Sequence, residues 1–332
     1  MYSLAVPFSR SARAREPLAA LTFDLDTLGQ DMFPGGPLPP AQKQLLEDLS
    51  YAQVLPRILD FLRECSVPAT FFVIGRHVDR YAEAIRTLVA EGHEVANHTM
   101  THPREFSALS RDKIRAEIDA CHAVIARVAG VAPSGFRAPG YTINADVLAA
   151  LTDLGYTYDA SLVPSWSYSM LKLASQRLFN RADYPIVPQS FGCALAPQVP
   201  FRVDSARPFR EARGGALMEI PVTTMPVVQW PLTSIPLMVA ARRTKVIEWS
   251  VYRTRPFLSV SLHDFEFTAA EDASDMPRGL FVSRYLRRTL DDRLRQMRRM
   301  VVAARRFYRF VTLRDVAAAF GPARQAVGAA AP

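Results

Sequence analysis

Cysteine is scarce in this sequence. Only Cys65, Cys121 and Cys193 occur in 332 residues. Three scattered thiols make neither a disulfide framework nor a thiolate zinc site, and a reducing compartment is the expectation. Long apolar runs are lacking too. None reaches the roughly 18–20 residues that span a bilayer, because Pro, Arg or Asp interrupts each one. Met1–Glu16 carries arginines without an apolar h-region, which argues against a secretory signal. No module signature for reading nucleic acid is present. These absences lead to the expectation of a soluble, cytoplasmic protein.

What is present suits a globular chain. Hydrophobic residues make up 49% and charged residues 22%, enough for a full core. The length fits one large α/β unit or two ordinary domains. A net charge of +8 and a pI near 9.6 favour anionic partners, such as phosphates or membrane surfaces.

Along the chain, apolar strand-like runs alternate with helical periodicity. Strands are expected at 21–26, 68–75, 93–97, 135–138, 156–161, 217–222, 257–262 and 309–312. Helices are expected at 45–62, with Pro56 starting a second one at 57–65, and at 82–90, 110–129, 145–154, 283–307 and 313–320. Gly29–Pro40 reads as a loop, 162–215 as an irregular insertion, and 327–332 as a frayed tail. Strand–helix alternation of this length points to a parallel sheet, closed as a barrel more readily than left open. The expected layout is a lead-in at 1–17, one domain over 18–320, and a tail at 321–332.

Chemistry gathers at the expected strand ends, which is where parallel α/β folds place their sites. The first strand ends Phe23-Asp24-Leu25-Asp26. Side chains alternate along a strand, so both carboxylates face one way, and two like charges there call for a cation. After the third strand, His98 and His102 lie four apart, which brings them onto one side of a helical turn, a spacing that can grip one metal ion. Two imidazoles and a carboxylate leave coordination positions open, as catalytic sites do.

Four further constellations follow. Arg137 precedes Pro139-Gly140-Tyr141 and can fix a carboxylate, or the segment is a plain turn. Asp159-Ala160-Ser161 is a turn or a placed carboxylate. His263 leaves a strand where a general acid could stand, or it is a solvated histidine. The arginines from Arg284 to Arg309 lie on an amphipathic helix. They read either as a solvated face or as a contact for anionic headgroups or a phosphate-bearing substrate.

In this order, the segments resemble the polysaccharide deacetylase family, also called the NodB-homology or carbohydrate esterase 4 family, from about Leu18 to about Leu313. The resemblance implies a distorted, incomplete (β/α) barrel as a single domain with insertions. By matched position it implies Asp24 as catalytic base and Asp26, His98 and His102 as ligands of one divalent ion. Zinc is the first choice, with cobalt, manganese or nickel as alternatives. Arg137 would steady the base, His263 would be the general acid, and Asp159 would tune that histidine. The backbone at Gly140 would help bind the oxyanion, with Tyr141 beside it. Two departures stand out: Leu25 separates the aspartates, and Gly140 stands where many relatives have an aromatic residue.

The implied activity is metal-assisted removal of an N-acyl group, acetyl first, from an amino sugar or a lipid- or nucleotide-linked precursor. Peripheral contact with the inner membrane face would run through the Arg284–Arg309 helix. The alternatives are hydrolysis of a non-sugar amide or ureide, or a non-catalytic relative that binds lipid or glycan.

Overall fold

A computed structural model describes residues 16–28, 38–178, 191–212, 214–233, 244–272 and 288–321. The expected tail, most of the Gly29–Pro40 loop, and Arg284 and Arg287 lie outside them.

Strand β1 (Leu18–Leu25) is buried along its whole length, as an unbroken apolar run interrupted only by Thr22 and Asp24 predicts. It lies between β2 (Ala69–Val73) and β9 (Phe257–His263), parallel to both. From β2 the parallel order continues through β3 (Glu94–Asn97), β4 (Gly135–Phe136), β5 (Tyr158–Asp159) and β8 (Met218–Glu219). A short β10 (Arg309–Phe310) joins the start of β1. Between β8 and β9 the ladder lapses. There the Thr223 N–H donates to the Ser259 carbonyl and the Ser261 N–H to the Leu232 carbonyl. The result is the expected distorted, incomplete barrel.

Helices clothe it: α1 (Pro40–Leu49), α2 (Leu55–Cys65), α3 (Gly75–Val78), α4 (Ala82–Ala90), α5 (Arg111–Ala129) and α6 (Ala145–Asp153) in the first half. Pro56 stands in the first turn of α2, as expected of a second helix. It lacks an N–H, and the run from α1 to α2 absorbs this through a π turn, Ser50–Val54.

The described residues of 162–215 are more regular than their composition suggests. They contain α7 (Trp166–Leu178) and an antiparallel hairpin of β6 (Phe201–Asp204) and β7 (Arg207–Glu211) docked on β8. Its helix has weak amphipathic spacing and its strands are short, so neither period shows in the sequence. A one-turn α8 (Thr244–Ile247) precedes β9.

The arginine-rich helix is shorter than 283–307. It is α9 (Leu290–Ala304), started by the Thr289 hydroxyl, which accepts from the Asp292 N–H. Its basic face is largely engaged. Arg295 pairs with Asp291 and Asp292 and Arg298 with Glu64, and beyond the helix Arg309 of β10 pairs with Glu16. Arg293 is not on the solvated side at all. It is fully buried and donates to the carbonyls of Glu266 and Thr268. Last comes α10 (Leu313–Phe320), with a Thr312–Asp315 capping box.

Two polar clusters divide the barrel. At the strand starts, buried Glu94 accepts from Thr70 Oγ1, Tyr158 OH and the Arg314 N–H, closing that end against α10. Tyr158 lies over Gly135, where any Cβ would fall 1.8 Å from its ring, so this position admits no side chain. At the strand ends sits the second cluster.

Candidate active site

Asp24 is the penultimate residue of β1, in register with His263 on β9 and Phe72 on β2. Asp26 lies just beyond the strand. The two carboxylates have separate partners. Asp26 Oδ1 lies 3.3 Å from His98 Nε2 and 3.6 Å from His102 Nε2. Asp24 Oδ1 receives Arg137 NH1 at 2.5 Å, and its Oδ2 receives the Tyr141 hydroxyl at 3.1 Å.

The histidine loop is not a helical turn. Asn97 organises it: its side-chain amide donates to the Ile118 carbonyl at 2.9 Å, and its oxygen accepts from the Thr99 N–H at 2.8 Å. The Thr99 hydroxyl then accepts from the His102 N–H at 3.0 Å. Thr99 and His102 take left-handed backbone, with φ of 66° and 55°. The pair thus converges through local side-chain bonds and strained dihedrals rather than helical periodicity.

The donor set fits a divalent cation. One ligand atom each from Asp26, His98 and His102 lies within 4.8 Å of the others, all three residues being buried. Asp26 Oδ1 is shut off from solvent and makes no hydrogen bond. His98 Nδ1 lies 2.7 Å from the Arg137 carbonyl, an arrangement in which Nδ1 carries the proton and Nε2 presents its lone pair to the cluster. Burial alone would raise the Asp26 pKa, but the imidazoles of His102, His98 and His263 hold it well below the usual carboxylate range. His98 moves the opposite way: burial disfavours its cation, and Asp26 and Asp24 more than offset that. Two nitrogens and one oxygen are ligands suited to a catalytic zinc-type ion, with positions left for water and substrate.

Around Asp24 stands a buried frame that sequence reasoning missed in part. Arg137 is fully buried beneath the Phe72 ring, 4.0 Å from its centroid. Its NH1 also reaches Thr22 Oγ1 at 3.0 Å and Ser261 Oγ at 3.2 Å, while Nε donates to the Ala160 carbonyl. Ser261 Oγ and the Tyr141 phenol lie 2.6 Å apart. The signal was available. Thr22 and Ser261 each sit two residues before a site residue, polar on the same inward face of an apolar strand.

Tyr141 acts here through its hydroxyl. Its N–H closes a turn onto the Ala138 carbonyl at 3.0 Å, so it does not point at a reacting oxygen. Gly140, at φ 62°, is exposed, with nothing within 4 Å of where a side chain would start.

His263 Nε2 lies 3.7 Å from Asp24 Oδ2 and 3.9 Å from Asp26 Oδ2. The carboxylate at its other nitrogen is Glu266, 3.5 Å from Nδ1 and fully buried, and Phe265 stacks on the ring at 4.6 Å. Burial opposes the imidazolium, yet Glu266, Asp24 and Asp26 push the pKa up to about 9. Glu266 thus holds the place expected of Asp159. It lies only three positions after His263, one turn of 3₁₀ backbone.

Asp159 lies elsewhere. It is β-ladder neighbour to Glu219, and both side chains are fully buried. Ser161 Oγ donates to Asp159 Oδ1 at 2.6 Å, and the Leu162 N–H donates to Glu219 Oε1 at 3.0 Å. The remaining oxygens, Asp159 Oδ2 and Glu219 Oε2, have no outside partner. Burial, then the neighbouring Asp159, raises the Glu219 pKa well above its ordinary value, and burial raises that of Asp159. Both carboxyls are thus held toward the protonated form, as two close carboxyls in a buried site require. Through Ser161, whose hydroxyl also receives the Ala138 N–H at 2.8 Å, the pair braces the segment that carries Arg137.

Residues 12–158 match the polysaccharide deacetylase family model. The chitooligosaccharide deacetylase of Bradyrhizobium sp. (strain ANU 289) is 45% identical over 101 residues, 30% of this chain and 46% of that protein. The peptidoglycan-N-acetylglucosamine deacetylase of Bacillus cereus is 30% identical over 112 residues, 34% of this chain and 38% of that protein. The chain thus spans about half the length, or less, of these curated relatives. In fold, a polysaccharide deacetylase structure from Mycobacterium smegmatis superposes with a TM-score of 0.59 at 20% identity, covering 96% of this chain and 94% of that one. An allantoinase structure gives 0.58 at 15% identity, covering 91% and 89%. The family match thus runs from before β1 into β5, and over the rest of the chain the likeness is one of fold.

Proposed function

We propose that the protein is a metal-dependent hydrolase that removes an N-acyl group, acetyl in the first instance, from an amino sugar. One observation carries this reading: Asp26, His98 and His102 converge as a ligand set while Asp24 and His263 stand beside it with separate supports. The named activities of the sequence relatives support the acyl-sugar substrate class.

A divalent ion held by Asp26, His98 and His102 supplies Lewis acidity and an acidified water. The chain's own groups divide the proton work. Asp24, held by Arg137 and Tyr141, accepts the proton of the attacking water. Its fixed hydrogen bonds keep one geometry without reorganisation. His263, oriented by Glu266, donates a proton to the departing amine. Arg137 neutralises Asp24 in the ground state, so two carboxylates can stand close together in a buried site.

The substrate on this reading is an N-acylated amino sugar in soluble, lipid-linked or nucleotide-linked form, met in the cytoplasm or at the inner membrane face. The basic net charge supports a phosphate-bearing carrier. A second reading, a small cyclic amide or ureide, draws support from exposed Gly140, where an aromatic sugar-contacting wall is missing. The test is an acyl-release screen with zinc, cobalt or manganese, run with wild type beside Asp24→Asn. Acetate or formate released from N-acylated glucosamine oligomers by wild type alone is the expected result. Silence on every acylated sugar, with turnover of a cyclic ureide, would sink the first reading.

A further inference from the structure

The loop that carries His98 and His102 is exposed at its crest, yet every backbone N–H and carbonyl from Thr99 to Thr101 is bonded. Asn97 takes the Thr99 N–H. The rest are held from α3 and α5. In the first turn of α3, the Gly75 N–H donates to the Thr99 carbonyl at 3.0 Å and the Arg76 N–H to the Met100 carbonyl at 2.9 Å. From the loop, the Met100 N–H donates to the Glu117 carbonyl on α5 at 3.0 Å. Helix α3 comes this close because it begins with glycine. A Cβ at Gly75 would fall 2.7 Å from Met100 Sδ and 3.1 Å from Cys121 Cα.

Two side chains complete the hold. Glu117 grips Thr101 with both oxygens: Oε2 accepts from the N–H at 2.8 Å and Oε1 from the hydroxyl at 2.7 Å. Arg76 NH1 donates to the Thr101 carbonyl at 2.6 Å, and its Nε donates to Nε2 of buried His77 at 3.1 Å. Thr101 is thus pinned by its N–H, hydroxyl and carbonyl, one residue before His102. Both gripping side chains are part-exposed. Water competes for such bonds, so they add little to global stability. What they fix is backbone geometry. The left-handed dihedrals of Thr99 and His102 persist only where the surroundings over-determine them, and on the open side of the loop those surroundings are Glu117 and Arg76.

We propose that Glu117 and Arg76 are positioning residues for the candidate metal site. Neither belongs to the ligand set of Asp26, His98 and His102. Together they set where the His102 imidazole stands relative to His98 and Asp26. The inference rests on the hydrolase reading, in which those three residues hold a divalent ion. The opposite charges of the two side chains separate this role from plain electrostatics. A carboxylate near a cation site attracts the ion, and a guanidinium repels it. As charges, Glu117 and Arg76 would move metal affinity in opposite directions. As clamps on one loop, they move it the same way.

The test is calorimetric titration of the metal-free full chain with zinc, beside visible spectra of the cobalt-loaded protein. Glu117→Ala and Arg76→Ala should each weaken zinc binding by about tenfold and alter the cobalt bands, with the melting temperature of the metal-free protein unchanged. Glu117→Gln should bind as wild type does, because its amide can accept from the Thr101 N–H and donate to the Thr101 hydroxyl. Should Glu117→Ala fail to fold, Thr101→Val removes only the hydroxyl grip and should weaken zinc binding in the same direction. Tighter binding by Arg76→Ala, or equal losses in Glu117→Gln and Glu117→Ala, would mark a charge effect and overturn the proposal. So would variants that match wild type in affinity and spectrum, or a loss of affinity that only follows a lowered melting temperature. Wild type that takes up no divalent ion defeats the hydrolase reading itself, and the inference with it, so the two failures are told apart.

Discussion

Replacing Glu219 by glutamine should change how stability depends on pH more than it changes stability itself. Glu219 and Asp159 are fully buried neighbours, and two oxygens between them have no outside donor. One proton held between them would satisfy both. In the unfolded chain Glu219 would lose that proton near its ordinary value of 4.5, whereas in the folded chain burial beside Asp159 holds it far higher. The native state therefore binds one proton more across that interval. Stability from the pair is complete below the unfolded value and falls as pH rises toward the folded one, by about 1.4 kcal/mol per pH unit. Glutamine at 219 can accept the Leu162 N–H and donate to Asp159 at any pH, so the variant loses that slope. Glu94 and Asp264, also buried with raised pKa values, are present in both proteins and cancel in the difference. Urea unfolding at half-unit steps from pH 5 upward, metal-saturated throughout, reads the two curves. They should diverge with rising pH in favour of the variant. Parallel curves would refute the shared proton, and a variant less stable at every pH would show the pair to be held by something else.

Other outcomes follow from the same geometry. Asp24→Asn should lower kcat by on the order of 10²–10⁴ while metal content, measured by elemental analysis, stays at wild-type level. His98→Ala and His102→Ala should lose the metal itself, seen as loss of the calorimetric titration with zinc. Glu266→Gln should lower kcat by on the order of 10² with KM nearly unchanged, because the imidazole keeps its place but loses the carboxylate that favours its cation. Tyr141→Phe removes one of two donors to Asp24 and should cost about 1 kcal/mol in urea unfolding, with a fall in kcat rather than a rise in KM.

Much of this was legible before any coordinates, and the exceptions have physical causes. The strand that bears Asp24 could be read because a buried parallel strand is a continuous apolar run, so two aspartates in it are conspicuous. The His98–His102 pair was legible in spacing but not in shape. Its loop is held by Asn97 and Thr99 side chains, and left-handed threonine has no sequence signature. Glu266 escaped notice because its role depends on His263 ending a strand and the chain then turning tightly, an event marked by neither Gly nor Pro. Asp159 was misplaced for a related reason. Its partner Glu219 is sixty residues away, and only strand order reveals the ladder neighbour. Trp166–Leu178 and the hairpin after it stayed hidden because a helix on an open surface needs little amphipathic contrast.

The position of β1 also governs when the site can exist. One edge of β1 is covered by β2, about fifty residues later, but the other pairs with β9, whose Phe257 aligns with Leu18. A chain emerging from the ribosome therefore contains Asp26, His98 and His102 long before His263, with a hydrophobic strand edge still bare. Long loop closures of this kind are slow, and bare edges recruit other chains. Activity should appear only when the last third of the protein has been made and threaded into place. A fragment stopping at residue 158, the end of the family match, would include all three candidate ligands, Asp26, His98 and His102, but neither the β9 border of β1 nor His263.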